Sequence, residues 1–258
     1  MNENFISGYE NEIEFVHFLN HKRINKLNPM FEDLIYSLFT DLKGDEEIVA
    51  WKNKFLEKTD IFIKIGNQTR GISLKKGIKN SVHASRISDF IRFLIENDIE
   101  REVVMEFLKF QYADGTTNNK GAKRLSTLEY KELHQDKIDL MNVVFNDEKF
   151  LVKAIEFFVL KGKMAKISID ALIYGTINDF IWIKKDDIVS ILLSKRKNYA
   201  SGVHFSNLLC QPMSRNLNNN PKYENCRYIV QIKWYSLFDD IIENMNNKCL
   251  EKLDKNIV

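Results

Sequence analysis

From Thr59 to Lys75 the chain places β-forming residues on either side of one turn signal, and this stretch constrains the fold more than any other. Asp60-Ile61-Phe62-Ile63-Lys64-Ile65 is β-rich, Gly66-Asn67-Gln68 is a turn, and Thr69 to Lys75 is β-rich again, which is the pattern of a hairpin. Side chains alternate across a strand, so Ser73 and Lys75 share a face, and a tight hairpin returns them beside Asp60. A carboxylate and an ammonium group then converge at one edge of a sheet.

The flanking segments read as helices. Tyr9 to Leu19 places Ile13, Phe15, Val16, Phe18 and Leu19 near helical period, and Met30 to Leu42 does the same with Phe31, Leu34, Ile35, Leu38, Phe39 and Leu42. Ile48 to Leu56 is expected as a third helical piece. Beyond the hairpin, Gly77 to Ser81 reads as a loop and Ser85 to Glu96 as a helix. Glu102 to Leu160 is mostly helical, broken by the polar stretch from Asp114 to Gly121, a loop that is either mobile or in contact with a substrate. Lys166 to Ile173 and Asp179 to Lys184 look like a second strand pair, and Asp186 to Leu193 a short strand or helix. Cys226 to Trp234 reads as a strand and Phe238 to Leu253 as a closing helix. The expected class is α/β (α+β), a central mixed sheet flanked by helices. The expected divisions are a core over 1–100, an inserted or appended segment over 101–200, and a final strand and helix over 201–258.

A net charge of +2 is too small to argue for a nucleic-acid partner, but its distribution is informative. Residues 59–86 carry Lys64, Arg70, Lys75, Lys76, Lys79 and Arg86 against Asp60 alone, and a second basic stretch runs from Lys195 to Lys233 with Glu224 its one acid. A polyanion suits two such regions, because phosphate neutralisation supplies most non-specific nucleic-acid affinity. Cys210, Cys226 and Cys249 show no ligand spacing, so neither a disulfide framework nor a zinc site is expected. No window resembles a membrane span, and Glu3, Glu10, Glu12 and Glu14 stand where a secretory signal would be basic and then apolar; the cytoplasm is the expected location.

Metal-dependent phosphodiester hydrolysis uses carboxylates to hold Mg²⁺ and an ammonium to position water or stabilise charge. At this point the hairpin resembles the PD-(D/E)XK nuclease superfamily, which includes many type II restriction endonucleases. Asp60 matches the acid that opens the first strand and Lys75 the lysine of the second. Glu12 matches the glutamate of the upstream helix. Thr59 stands where proline is usual, and Ser73 where a second acid is expected. The resemblance implies a restriction-endonuclease-like fold and a Mg²⁺-dependent endonuclease acting on double-stranded DNA, with a homodimer as one open assembly state. In that scheme Asp60 and Glu12 hold the metal, Lys75 positions water and Ser73 hydrogen-bonds it.

The stretch from Lys75 to His83 resembles the loop after the lysine in such enzymes, making Lys76, Lys79, Ser81 and His83 candidate DNA contacts. His83 reads equally as a polar residue at a helix cap. Arg215 and Asn216 lie in an Arg-Asn loop, and Arg227, Gln231 and Lys233 fall on one face of a strand, residue types suited to phosphates and base edges. The phenylalanines sit mostly at helical spacing, which points to core rather than to base stacking. Two other readings stand beside the nuclease: a catalytically silent DNA-binding module, suggested by Ser73, and a protein-interaction or regulatory domain, suggested by the acidic N-terminal region.

Overall fold

The structure is a computed structural model that describes residues 8–55, 57–77, 80–121, 123–163, 165, 167–197, 202–214 and 220–255. In chain order its elements are α1 (Gly8–Leu19), α2 (Pro29–Leu38), β1 (Ile48–Lys52), β2 (Ile61–Ile65), β3 (Gln68–Lys75), β4 (Ser81–Arg86), α3 (Ile87–Glu96), α4 (Arg101–Tyr112), α5 (Thr127–Phe145), α6 (Glu148–Ile155), β5 (Ala171–Thr176), β6 (Asp179–Lys184), α7 (Lys185–Ser194), β7 (Val203–Phe205), β8 (Leu208–Pro212), β9 (Ile229–Lys233) and α8 (Leu237–Lys255). A π-helical turn, Glu156–Lys161, follows α6, and a 3₁₀ segment, Pro221–Tyr228, precedes β9. The class is mixed α/β, as expected. No helix among the described residues is long and apolar enough to cross a membrane.

The chain divides into two compact units: Met1–Asn80 with Val159–Ile191 and Leu237–Val258, and Ser81–Phe158 with Leu192–Ser236. This division differs from the expected boundaries near 100 and 200. Residues 81–100 group with the second unit, and the last helix returns to the first.

The first unit is built on a five-stranded sheet in the order β1-β2-β3-β5-β6. Every pairing is antiparallel except β3 with β5, which is parallel and sets Ile72 opposite Ala171. Ile61, Ile63, Ile65, Ile72 and Leu74 bury one face of the sheet in a cluster with Phe15 and Leu19 of α1 and Phe31 and Ile35 of α2. Alternation then sends Ser73 and Lys75 to the opposite face of β3. Gly66 turns the hairpin at φ +55°, a left-handed conformation that glycine adopts without steric cost. Asn28 starts α2 by accepting the Phe31 N–H at 3.0 Å, with Pro29 next to it.

Ile48 to Lys52 is a strand and not the expected helix. Ile48 and Ala50 are buried while Val49 and Trp51 are exposed, a period of two, and β1 pairs with β2 from Ile48↔Ile65 to Lys52↔Ile61. Pairing with a strong hairpin overrides a local pattern that is compatible with either state.

The second unit holds a four-stranded antiparallel sheet, β4-β9-β8-β7. Its core is largely aromatic: Phe90 stacks on Phe107 at 4.5 Å, and Phe145 on Phe205 at 4.8 Å. α5 opens with a capping box, in which Ser126 accepts the Glu129 N–H and Glu129 accepts the Ser126 N–H. The loop from Asp114 to Gly121 is tied at its ends. Asp114 accepts the N–H groups of Thr116 and Gly121 at 2.9 and 3.1 Å, and the Asn119 amide donates to the Tyr228 hydroxyl at 3.0 Å.

Candidate active site

Asp60 sits immediately ahead of β2, and its backbone is held from both sides. Its N–H donates to Ile72 O and its carbonyl accepts the Asn53 N–H, both at 2.9 Å. The pairing Ile61↔Ile72 sets Asp60 against Ser73. Gly71 allows this close approach, since a Cβ there would come within 2.9 Å of Thr59 Oγ1. The threonine standing at the usual proline position is therefore packed directly on β3.

The Asp60 carboxylate gathers the end of the hairpin. Its Oδ2 accepts the Leu74 N–H at 2.6 Å and the Ser73 hydroxyl at 3.0 Å, and the Lys75 ammonium lies 3.6 Å away. Lys75 also donates to Leu74 O at 3.1 Å. Ser73 is buried, whereas Asp60 and Lys75 remain partly open to solvent. The donors converge on one oxygen and fix the carboxylate's orientation. Ser73 thus spends its hydroxyl on Asp60.

A third charged group, not anticipated from the sequence, belongs to this cluster. The Lys58 side chain is only half-buried as a whole, but its ammonium is closely surrounded by protein. That desolvation, with the Lys75 ammonium as a smaller contributor and Asp60 opposing, lowers its pKa from 10.5 to about 7. Its stem passes over Gly162, where a Cβ would stand 3.4 Å from Lys58 Cγ. The available signal in the sequence was a lysine two positions ahead of the acid.

Glu12 projects from α1 and lines a cleft of about 1060 Å³ together with Asp60. Its Oε2 is paired with the Lys52 ammonium, which also lies 3.8 Å from the centre of the Tyr9 ring. Once Ile48–Lys52 is a strand, alternation brings Lys52 to the face that carries α1. Among the described residues no group of three or more His, Cys, Asp or Glu side chains converges as a metal set. The Glu12 and Asp60 carboxylates both line the cleft, and Mg²⁺ is an ion that binds through one or two carboxylates and keeps several waters.

The other sequence candidates are dispersed. Lys76 is half-buried after β3. Ser81 opens β4 and accepts from the Gln231 amide at 3.3 Å. His83, expected at a phosphate or a helix cap, is instead a buried strand residue whose ring meets Phe157 and Phe158 at 5.6 and 5.0 Å. Arg227 does not share a strand face with Gln231 and Lys233; it lies in the 3₁₀ segment, which Pro221 and the Asn220 cap initiate. Gln231 and Lys233 do share the half-buried face of β9, while Val230 and Ile232 are buried. Lys79, Arg215 and Asn216 lie outside the described residues.

No family model matches the sequence, and no curated protein matches it. The structure is similar to the restriction endonuclease MspI, solved in complex with its cognate DNA. The likeness has a TM-score of 0.53 at 15% identity and covers 88% of this chain and 91% of that one. At that identity the likeness is one of fold, and the fold is restriction-endonuclease-like.

Proposed function

We propose that the chain is a Mg²⁺-dependent endonuclease that hydrolyses phosphodiester bonds of double-stranded DNA, acting in the cytoplasm as a restriction or defence enzyme. The observation that carries this reading is the convergence of Ser73, the Leu74 N–H and Lys75 on one oxygen of Asp60, in a fold like that of a DNA-bound restriction endonuclease.

In this reading Asp60 and Glu12 hold the ion, which when bound supplies positive charge to the phosphodiester. Ser73 and the Leu74 amide keep the Asp60 carboxylate in one orientation. Lys75, beside that carboxylate, orients the attacking water and balances the charge that develops on the phosphorus oxygens. Lys76 in the first unit, and Ser81, Arg227, Gln231 and Lys233 in the second, are the proposed DNA contacts.

Plasmid digestion with and without Mg²⁺ tests the proposal. Nicking is expected only with Mg²⁺ and is expected to vanish in Asp60→Ala; cleavage by that variant at the wild-type rate would overturn the assignment. A second reading, a silent DNA-binding module, draws on the pairing of Glu12 with Lys52 and on Ser73 in place of an acid. Under that reading DNA is retarded in a gel but never cut at any Mg²⁺ concentration.

A further inference from the structure

The cleft beside Asp60 is larger than a carboxylate and a lysine need. Its volume of about 1060 Å³ lies just above the roughly 300–1,000 Å³ of small-ligand pockets. Three aromatic residues line it, Tyr9, Trp51 and Phe55, and all are exposed, at 61%, 39% and 75%. Most of the described phenylalanines are core, as their spacing led one to expect. Phe55 and Phe238 are exposed, and Phe55 is the most exposed of the large hydrophobic residues described.

The Phe55 backbone and the Tyr9 and Trp51 rings each make a defined contact. Phe55 sits on a turn braced by Asn53, a buried residue whose Oδ1 accepts the Phe55 N–H at 3.0 Å. The Asn53 amide donates to Glu57 Oε2 at 3.1 Å and to Thr59 O at 3.0 Å, and its backbone N–H is bonded to Asp60 O. The turn that presents Phe55 is therefore tied to the backbone of the candidate catalytic aspartate. Tyr9 carries the Lys52 ammonium over its ring, and Trp51 stacks on Phe62 at 5.4 Å. Keeping an exposed aromatic on a braced turn forgoes the free energy of burying it.

We propose that this cleft receives an unstacked nucleobase from the DNA strand whose phosphodiester lies at Asp60, with Phe55 and Tyr9 as its stacking surfaces. The inference rests on the nuclease reading and deepens it. A base offers an apolar π face to the rings and a polar edge to the groups around them, while Lys52 and Lys54, also in the lining, suit the adjacent backbone. An aliphatic ligand would match the rings but not the charged side chains of Lys52, Lys54 and Glu57 that also line the cleft. The substrate class that follows is DNA with an unpaired or extruded base next to the cut, because a base in an intact duplex must first pay for leaving the stack.

The test uses the Asp60→Asn protein and a short single-stranded oligonucleotide carrying 2-aminopurine, read by its fluorescence with and without Mg²⁺. The expected result is quenching on binding, tighter for the single strand than for the same oligonucleotide annealed. Phe55→Ala and Tyr9→Ala added to this background should each weaken binding about tenfold, as removal of one stacking ring does, and lose the quench; Phe55→Trp should keep both. Phe55 is exposed, so its replacement leaves the fold intact. Binding without quenching, or alanine variants that bind and quench like their parent, would overturn the inference while plasmid cleavage by the wild type still upheld the nuclease reading. If neither DNA form binds, both fall together.

Discussion

Two clusters of polar groups, one in each unit, are used in opposite ways. In the first, Ser73, Lys75 and the Leu74 N–H turn toward one carboxylate that solvent can still reach. In the second, polar side chains are spent on the backbone. Arg124 donates to Tyr112 O and Gln111 O, Gln111 to Arg227 O and Ile229 O, and Asn142 joins Gly202 O to the His204 N–H. Burial drives the Arg124 pKa down to about 10, with Arg227 adding to the shift, and it lowers that of His204 despite the Gly202 carbonyl. Polar groups that satisfy main-chain atoms hold a fold together, and those that meet at a solvent-facing carboxylate are available for chemistry.

Substitutions in the two units should therefore separate activity from stability. The largest effect is expected for Lys75→Ala: a loss of about 10²–10³ in cleavage rate, the usual cost of removing a group that stabilises developing charge, with little change in the melting temperature. A fall in thermal stability matching the fall in rate would erase the contrast. Arg124→Met should do the reverse, costing about 3 kcal/mol because two helix-end carbonyls lose their donors in a buried site. Denaturant unfolding measures this, and a cost under about 0.5 kcal/mol, the range of ordinary surface changes, would remove Arg124 from the scaffold.

Lys58 sharpens the comparison through pH. Its folded-state pKa lies below its unfolded value, so the unfolded chain binds the extra proton between about pH 7 and 10.5. Stability should accordingly rise with pH across that window, and the full penalty should be present below pH 7. Lys58→Met should flatten this slope in thermal melts; a slope unchanged from wild type would show that the ammonium is not desolvated. The smallest effect is expected for Ser73→Asp. Another carboxylate beside Asp60 should shift the Mg²⁺ dependence of the melting temperature to lower concentration, at some cost to the apoprotein from like charges. Curves that superimpose on wild type would mean that residue 73 does not reach the ion.

How much of this could be read beforehand depended on whether the contacts were local. The hairpin was legible because Ile61, Ile63, Ile65 and Ile72 alternate around a glycine turn, and its register brings Ser73 and Lys75 to Asp60 without help from elsewhere. β1 was misread because Ile48–Lys52 runs into Asn53–Leu56, which lengthens the apolar pattern to that of a helix; only pairing with β2 decides the matter. β4 reads Ser-Val-His-Ala-Ser-Arg, a polar string that is a strand because β9 pairs with it nearly 150 residues on. Misreading β1 hid Lys52, and with it the partner of Glu12 and the cleft wall. Phe55 was lost for the same reason.

The single parallel pairing in the first sheet has a kinetic consequence. β2 and β3 can close within a few residues of each other, but β3 meets β5 only after the chain has travelled out through the whole of residues 81–158 and returned. The Gly71 N–H finds the Asp170 carboxylate 99 residues away. During synthesis the strand that carries Ser73 and Lys75 is therefore an open edge, and open edges recruit foreign strands. Contacts of such long sequence separation also slow folding, because loop closure must precede any gain. The part of the molecule best suited to chemistry is thus complete only late in its own synthesis, and a chain interrupted before Ala171 would hold a formed hairpin with an unprotected reactive edge.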